Sequence, residues 1–206
     1  MIRQTNIAYN YNLFYNICEE RQKRRKTMAH SFDELINTRQ SCRSYSDKPV
    51  EKEKLEELVK AVRLTPSACN SQPWKLFVVT GEKARFVKDA LQLMGRNKFT
   101  EDCPAFTVFV EKPATLKAGI AEMVSSQKFA QLDVGAAVSY YTLKATDLGL
   151  QTCILGWFDE KKLSNALGLS KSEKVRLVVA TGYAVDGYEL REKVRKDVSE
   201  FVDFIG

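Results

Sequence analysis

The sequence is short of the residues on which most catalytic and metal sites are built. His30 is its single histidine, which excludes histidine-based triads and multi-histidine metal centres. Its position beside a basic N-terminal stretch reads as that of a solvated bystander. Five cysteines (Cys18, Cys42, Cys69, Cys103 and Cys153) are scattered, and no pair has C-x-x-C spacing, so neither a disulfide framework nor a metal site is expected. They read as reduced thiols, mostly buried. No run of eighteen apolar residues occurs, so no transmembrane helix is expected. The first thirty residues lack the apolar core and small-residue cleavage site of a signal peptide, which makes the cytoplasm the expected location. Also missing are a P-loop, a G-x-S-x-G elbow and a G-x-G-x-x-G following a strand. A Rossmann-type dinucleotide fold is therefore not supported.

What is present is an ordinary globular mixture. The 206 residues, 44 % hydrophobic and 28 % charged, suit one domain with a real core. The net charge of +6 is unevenly placed. Residues 1–28 hold six basic and two acidic side chains, and the rest of the chain is nearly balanced, with 26 against 24. Residues 1–28 are expected to be a disordered leader or non-native extension, with Met28 as the natural start, and residues 29–206 the domain. The alternative is a short basic arm for nucleic acid or a membrane surface.

Periodicity organises the remainder. Ser31 and Glu34 form a capping box that starts a helix near residue 32. Leu55, Leu58, Val59 and Val62 mark one face of a second helix over 51–64, ended by Pro66. Residues 75–80, 105–111, 151–157 and 175–183 read as strands. A third helix stops at Gly95, and a short one runs from an Asp159 cap to Gly168. Residues 127–148 are apolar on nearly every side, which predicts a core helix covered all round by other elements or by a partner chain, with Gly149 as its C-cap. This alternation predicts one layered α/β-type domain with a modest four-stranded sheet.

Three polar clusters sit at element ends. In "TRQSCRSY", Arg39, Ser41 and Arg43 alternate, so an extended segment projects all three to one side, as a multi-oxygen anion requires. The plainer explanation is a helix C-terminus finished by cations. In "TPSACNSQPWKLFVV", the short or amide-bearing Ser67, Ala68, Asn70 and Gln72 let backbone lie close to a flat ligand, although turns favour Pro, Ser and Asn anyway. In "REKVRK", Lys193, Arg195 and Lys196 are basic among acids, which also describes a solvated turn.

Together these stretches resemble the FMN-dependent nitroreductase family. "TRQSCRSYSDKPV" is similar to its Arg-Arg-Ser-x-Arg opening, and "PSACNSQPWKLFVV" to its Pro-Ser-x-x-Asn-x-Gln-Pro-Trp signature. Residues 129–170, "VRLVVATGYA" and "RKDVSEFV" resemble its central helix and strand, last strand and tail, so the likeness spans 31–206 in order. It implies an α+β fold with a central mixed or antiparallel sheet surrounded by helices, as an intertwined homodimer holding two FMN at the subunit interface. It implies NADH or NADPH as donor and a nitroaromatic, quinone or similar small acceptor, with no metal, nucleic-acid or membrane partner. Carried over by position, Arg39, Gln40, Ser41 and Arg43 meet the flavin phosphate, ribityl chain and pyrimidine edge. Pro66, Ser67, Ala68 and Asn70 line the ring from the other chain, with Trp74 as anchor. Leu155 and Gly156 present backbone near N5, and Arg195 with Lys193 clamps the phosphate. No side chain need act as acid or base, so no catalytic residue is assigned.

Two departures stand out. Gln40 replaces a frequent second arginine, which lowers the expected charge by one unit. Asp197 stands where proline is usual, which puts an acid near the clamp. The stretch between Pro113 and Gln127 is short, so helices that cover the substrate in larger members are expected to be reduced. Two alternatives stay open: a non-redox flavin-binding or storage protein of the same fold, and a nucleic-acid binder using the basic leader.

Overall fold

The computed structural model describes residues 30–113, 115–125 and 127–206. The expected leader and Cys18 lie outside them. By its contacts the chain parts into two units between Asn37 and Thr38. Around that boundary runs helix α1 (Phe32–Thr38). The capping box expected there is present: Glu34 N–H donates to Ser31 Oγ (3.2 Å), and Ser31 N–H to Glu34 Oε2 (2.7 Å).

The second unit is built on four strands, β1 (Trp74–Thr80), β2 (Ala105–Glu111), β3 (Gln151–Leu155) and β4 (Lys174–Gly182), in the order β1-β2-β4-β3 with every pair antiparallel. Antiparallel pairing makes the architecture α+β, as the family resemblance implied, rather than the α/β type that alternation alone suggests. Strand β2 is central and buried almost throughout, which its unbroken "AFTVFV" run requires.

Helices cover both faces. On one, α2 (Lys52–Val62) and α5 (Phe129–Asp147) pack Leu58, Val62, Val134, Ala137 and Tyr141 onto Phe109 and Val179. On the other, α3 (Ala84–Leu91) and α6 (Glu160–Leu167) bring Val87, Leu91 and Leu163 against Phe106, Val108 and Val178. The buried Tyr141 hydroxyl shares hydrogen bonds with Thr107 (2.8 Å) and Thr181 (3.1 Å), so its polarity is satisfied, and burial pushes its pKa up to about 12.

Helix α5 is not covered all round by elements of its own chain, since Leu132 is 61 % exposed and Tyr140 42 %, which leaves the partner-chain form of that expectation. The stretch after Pro113 holds a further helix, α4 (Leu116–Ser125), with Ile120 and Met123 in solvent. Of the described cysteines, Cys42, Cys103 and Cys153 are buried and Cys69 is exposed, all as free thiols. Among the described residues there is no helix long and apolar enough to cross a membrane, and no cluster of three metal-ligating side chains.

Candidate functional site

Beyond α1 the chain runs extended along the free edge of β3. Ser41 forms a parallel bridge with Thr152, and Cys42 N–H donates to Thr152 C=O (2.9 Å). Arg39 directly follows the last helical residue, Thr38, whereas Ser41 and Arg43 lie on the extended stretch, so the helix-dipole explanation reaches Arg39 alone. Downstream, β3 ends at Leu155, which is buried, and the exposed Gly156 follows. The sheet edge thus places the first cluster and the Leu155–Gly156 pair along one strand.

The C-terminal stretch returns to the same place. Lys193 Nζ donates to Arg39 C=O (2.7 Å), and the Arg191 guanidinium to Ser41 C=O. The Arg43 backbone N–H donates to the Tyr188 hydroxyl (3.0 Å). Arg39, Arg191, Lys193 and Arg195 gather here as neighbouring cations. Partial burial lowers the pKa of Arg39, and the charge of Arg195 adds to that. Desolvation and the charges of Arg195, Arg39 and Arg191 lower that of Lys193. The ion pairs of the described residues all lie elsewhere.

Arg39 Nε is buried with no hydrogen-bond partner. Leaving such a donor unmade costs about 1–3 kcal/mol, and more when it is charged. A cation group that forms no ion pair, with one donor orphaned, has the chemistry of a site for a multiply charged anion.

The loop 65–72 is built differently. Cys69, Asn70 and Gln72 all take positive φ (52°, 50° and 45°), a region that costs a side-chain-bearing residue about 1–2 kcal/mol. Internal bonds hold the shape: Gln72 N–H to Ser67 Oγ (2.9 Å), and Gln72 Nε2 to Asn70 Oδ1 (3.1 Å). Ala68 N–H donates to both oxygens of Asp133 on α5 (3.1 and 3.3 Å). Trp74 opens β1 half-buried against the α2–α5 core and tethers the loop from the other side. Pro66, Ser67, Ala68 and Asn70 thus form one polar, uncharged turn. Among the described residues, none of the hydrogen bonds that hold it reaches the Arg39–Arg195 group; they run within the turn, to Asp133 on α5 and to Thr115 just before α4.

Three contributors escaped the sequence reading. Arg191 sits one turn of charge before the expected clamp, and only its separation of some 150 residues from Ser41 hides it. Tyr188 is equally remote from Arg43. Asp133 does leave a signal: it is the one charged residue in the largely apolar stretch of α5 before Lys144. The acid expected to disturb the clamp, Asp197, is engaged on its own turn, accepting from Ser199 N–H (2.9 Å) and Oγ (2.6 Å).

With this geometry in place, likeness to known proteins is informative. The sequence pattern of the nitroreductase family matches residues 36–183. A protein of Archaeoglobus fulgidus, named a NADH dehydrogenase/NAD(P)H nitroreductase, is 30 % identical over 162 residues, 77 % of this chain and 88 % of that protein. An FMN reductase [NAD(P)H] of Bacillus subtilis is 28 % identical over 59 % of this chain and 52 % of its own length. Among solved structures, a nitroreductase family protein of Clostridium difficile superposes with a TM-score of 0.71 at 24 % identity, covering 85 % of this chain and 98 % of that one. The fold is thus shared with these proteins, and the chain belongs to the nitroreductase family.

Proposed function

We propose that this protein is an FMN-dependent oxidoreductase that passes reducing equivalents from NADH or NADPH to a nitroaromatic, quinone or similar small acceptor. The observation that carries the reading is the buried, partnerless Arg39 Nε within a group of cations that forms no ion pair among the described residues. A phosphate ester supplies what that group lacks, so the residues present fit FMN. Bound there, FMN would supply the hydride acceptance and donation that no side chain of the chain offers.

The chain's own residues bind and orient. Arg39, Lys193 and Arg195 offer donors to the phosphate, and Ser41 a hydroxyl. Arg43, exposed on the same extended segment, is a cation for the pyrimidine edge, where it favours added negative charge and so raises the reduction potential. Leu155 and Gly156 offer backbone at the end of β3. Pro66, Ser67, Ala68 and Asn70 offer a flat polar surface with no long side chain in the way. We assign flavin binding to residues 29–206, so removal of residues 1–28 is expected to leave flavin uptake unchanged.

The site is proposed to be completed by a second copy. Among the described residues of one chain, no hydrogen bond joins the 65–72 loop to the cations. Apolar side chains that a partner would cover are in solvent on α5 (Leu132, Tyr140) and the tail (Phe201, Phe204). Sedimentation should return twice the chain mass. The functional test is an absorbance spectrum of purified protein before and after anaerobic NADH or NADPH. A flavin band that bleaches is expected; colourless protein that takes up no added FMN would overturn the proposal.

A further inference from the structure

Gln40 is buried, with 9 % of its surface exposed, although it carries one of the more polar side chains. Its amide is engaged at both ends, and always by the tail. Nε2 donates to Glu189 C=O (3.1 Å), and Oε1 accepts from both Arg191 N–H (3.1 Å) and Arg191 Nε (3.3 Å). The side chain therefore presents to residues 189 and 191 the donor and acceptor that a neighbouring strand's peptide would present. On either side of it, Arg39 C=O takes Lys193 and Ser41 C=O takes Arg191. The two extended segments are thus joined through side chains, with Gln40 as the central staple.

Neither the arginine expected here nor a glutamate serves at this position. Arginine has only donors, so it would leave Arg191 N–H unpaired and set two guanidiniums together. Glutamate would accept but could not donate to Glu189 C=O, and it would neutralise Arg191. Glutamine alone among these satisfies both tail groups without adding charge. Arg191 then keeps N–H donors to spare: of five, one is spent on Gln40 and one on Ser41. The unit of charge that the sequence lacks at position 40 is returned by Arg191.

We propose that Gln40 is a positioning residue that builds Arg191 into the anion site as a further phosphate ligand, and so sets the preference for phosphorylated over unphosphorylated flavin. The inference rests on the FMN reading above. It concerns only the phosphate end, so riboflavin is the control ligand.

The experiment is titration of the flavin-stripped full-length chain with FMN and with riboflavin, followed by flavin fluorescence. Arg191→Ala, at an exposed position, is expected to weaken FMN about tenfold while changing riboflavin less than about twofold. Gln40→Met keeps the side chain's length and removes its hydrogen bonds, and should reproduce that loss. The decisive variant is the double one. If Gln40 acts through Arg191, Gln40→Met adds nothing once Arg191 is alanine, whereas independent roles give additive losses. Equal weakening of both flavins, additive losses, or an unchanged FMN-to-riboflavin ratio in Arg191→Ala would overturn this proposal alone. A parent chain that binds neither flavin would overturn the FMN reading itself.

Discussion

The segment 39–43 with its tail partner 189–195 is dense in cations, and none of its residues takes positive φ. The loop 65–72 has no charge and places three non-glycine residues in the left-handed region. Each serves a different kind of recognition. Charge recognition depends on where a few long side chains end, so an extended backbone suffices if neighbours hold those ends. Recognition of a flat surface depends on the backbone itself, so the strain is placed there and the side chains are short. The first should respond to loss of single charges, and the second to loss of whatever fixes its shape.

The largest expected effect falls on the charged half. Arg39→Ala removes the orphaned donor and one cation. It should weaken FMN by about 3 kcal/mol, roughly a hundredfold, with little change for riboflavin. Fluorescence titration of both flavins measures this. Equal losses for the two would break the division between a charge-reading half and a shape-reading half.

The loop half is sharpened through Asp133. Asp133→Ala leaves Ala68 N–H without its partner and should cost about 1–3 kcal/mol in urea unfolding, with faster proteolytic nicking near residue 68. Asp133→Asn keeps an acceptor and should lose less. A smaller change of opposite sign is expected from Cys69→Gly. Glycine accepts a φ of 52° freely, so the unfolding free energy should rise by about 0.5–1 kcal/mol, after allowing for glycine's greater freedom in the unfolded chain. Stability unaltered by both Asp133→Ala and Cys69→Gly would mean that the loop holds its shape by other means.

This contrast also explains what the sequence could reveal. The four strands were legible because each is an apolar run bounded by turn residues, and the loop because Pro, Ser and Asn cluster there. The one-sided projection of Arg39, Ser41 and Arg43 from an extended stretch was legible through alternation, and their binding role only through the family resemblance. The staple was not: Gln40 meets Glu189 and Arg191 only after the chain has folded across some 150 residues, and nothing local marks a glutamine as a surrogate peptide. Helix α4 was missed for a related reason. Its Ile120 and Met123 face solvent within this chain, so no buried stripe announced it. Exposure of Leu132 and Tyr140 was hidden in turn because an apolar residue looks the same whether its cover comes from its own chain or not.

The smallest effect concerns Asp197, read from sequence as a threat to the clamp. Hydrogen bonds from the Ser199 hydroxyl and then its backbone N–H hold this carboxyl below the usual carboxylate range. A depressed folded-state pKa fixes the sign: the turn's stabilisation is fully present above the ordinary aspartate range, and it is lost as pH falls through the lowered value. The Ser199 amide resonance should therefore titrate at acid pH with a midpoint below that of an unperturbed aspartate. In Asp197→Asn the titration should vanish, while flavin affinity near neutrality stays within about twofold, because the carboxylate faces its own turn and not Arg195. A marked gain in FMN affinity in that variant would mean instead that the acid does oppose the phosphate, and that the charged half is less cleanly insulated from its tail than the hydrogen bonds suggest.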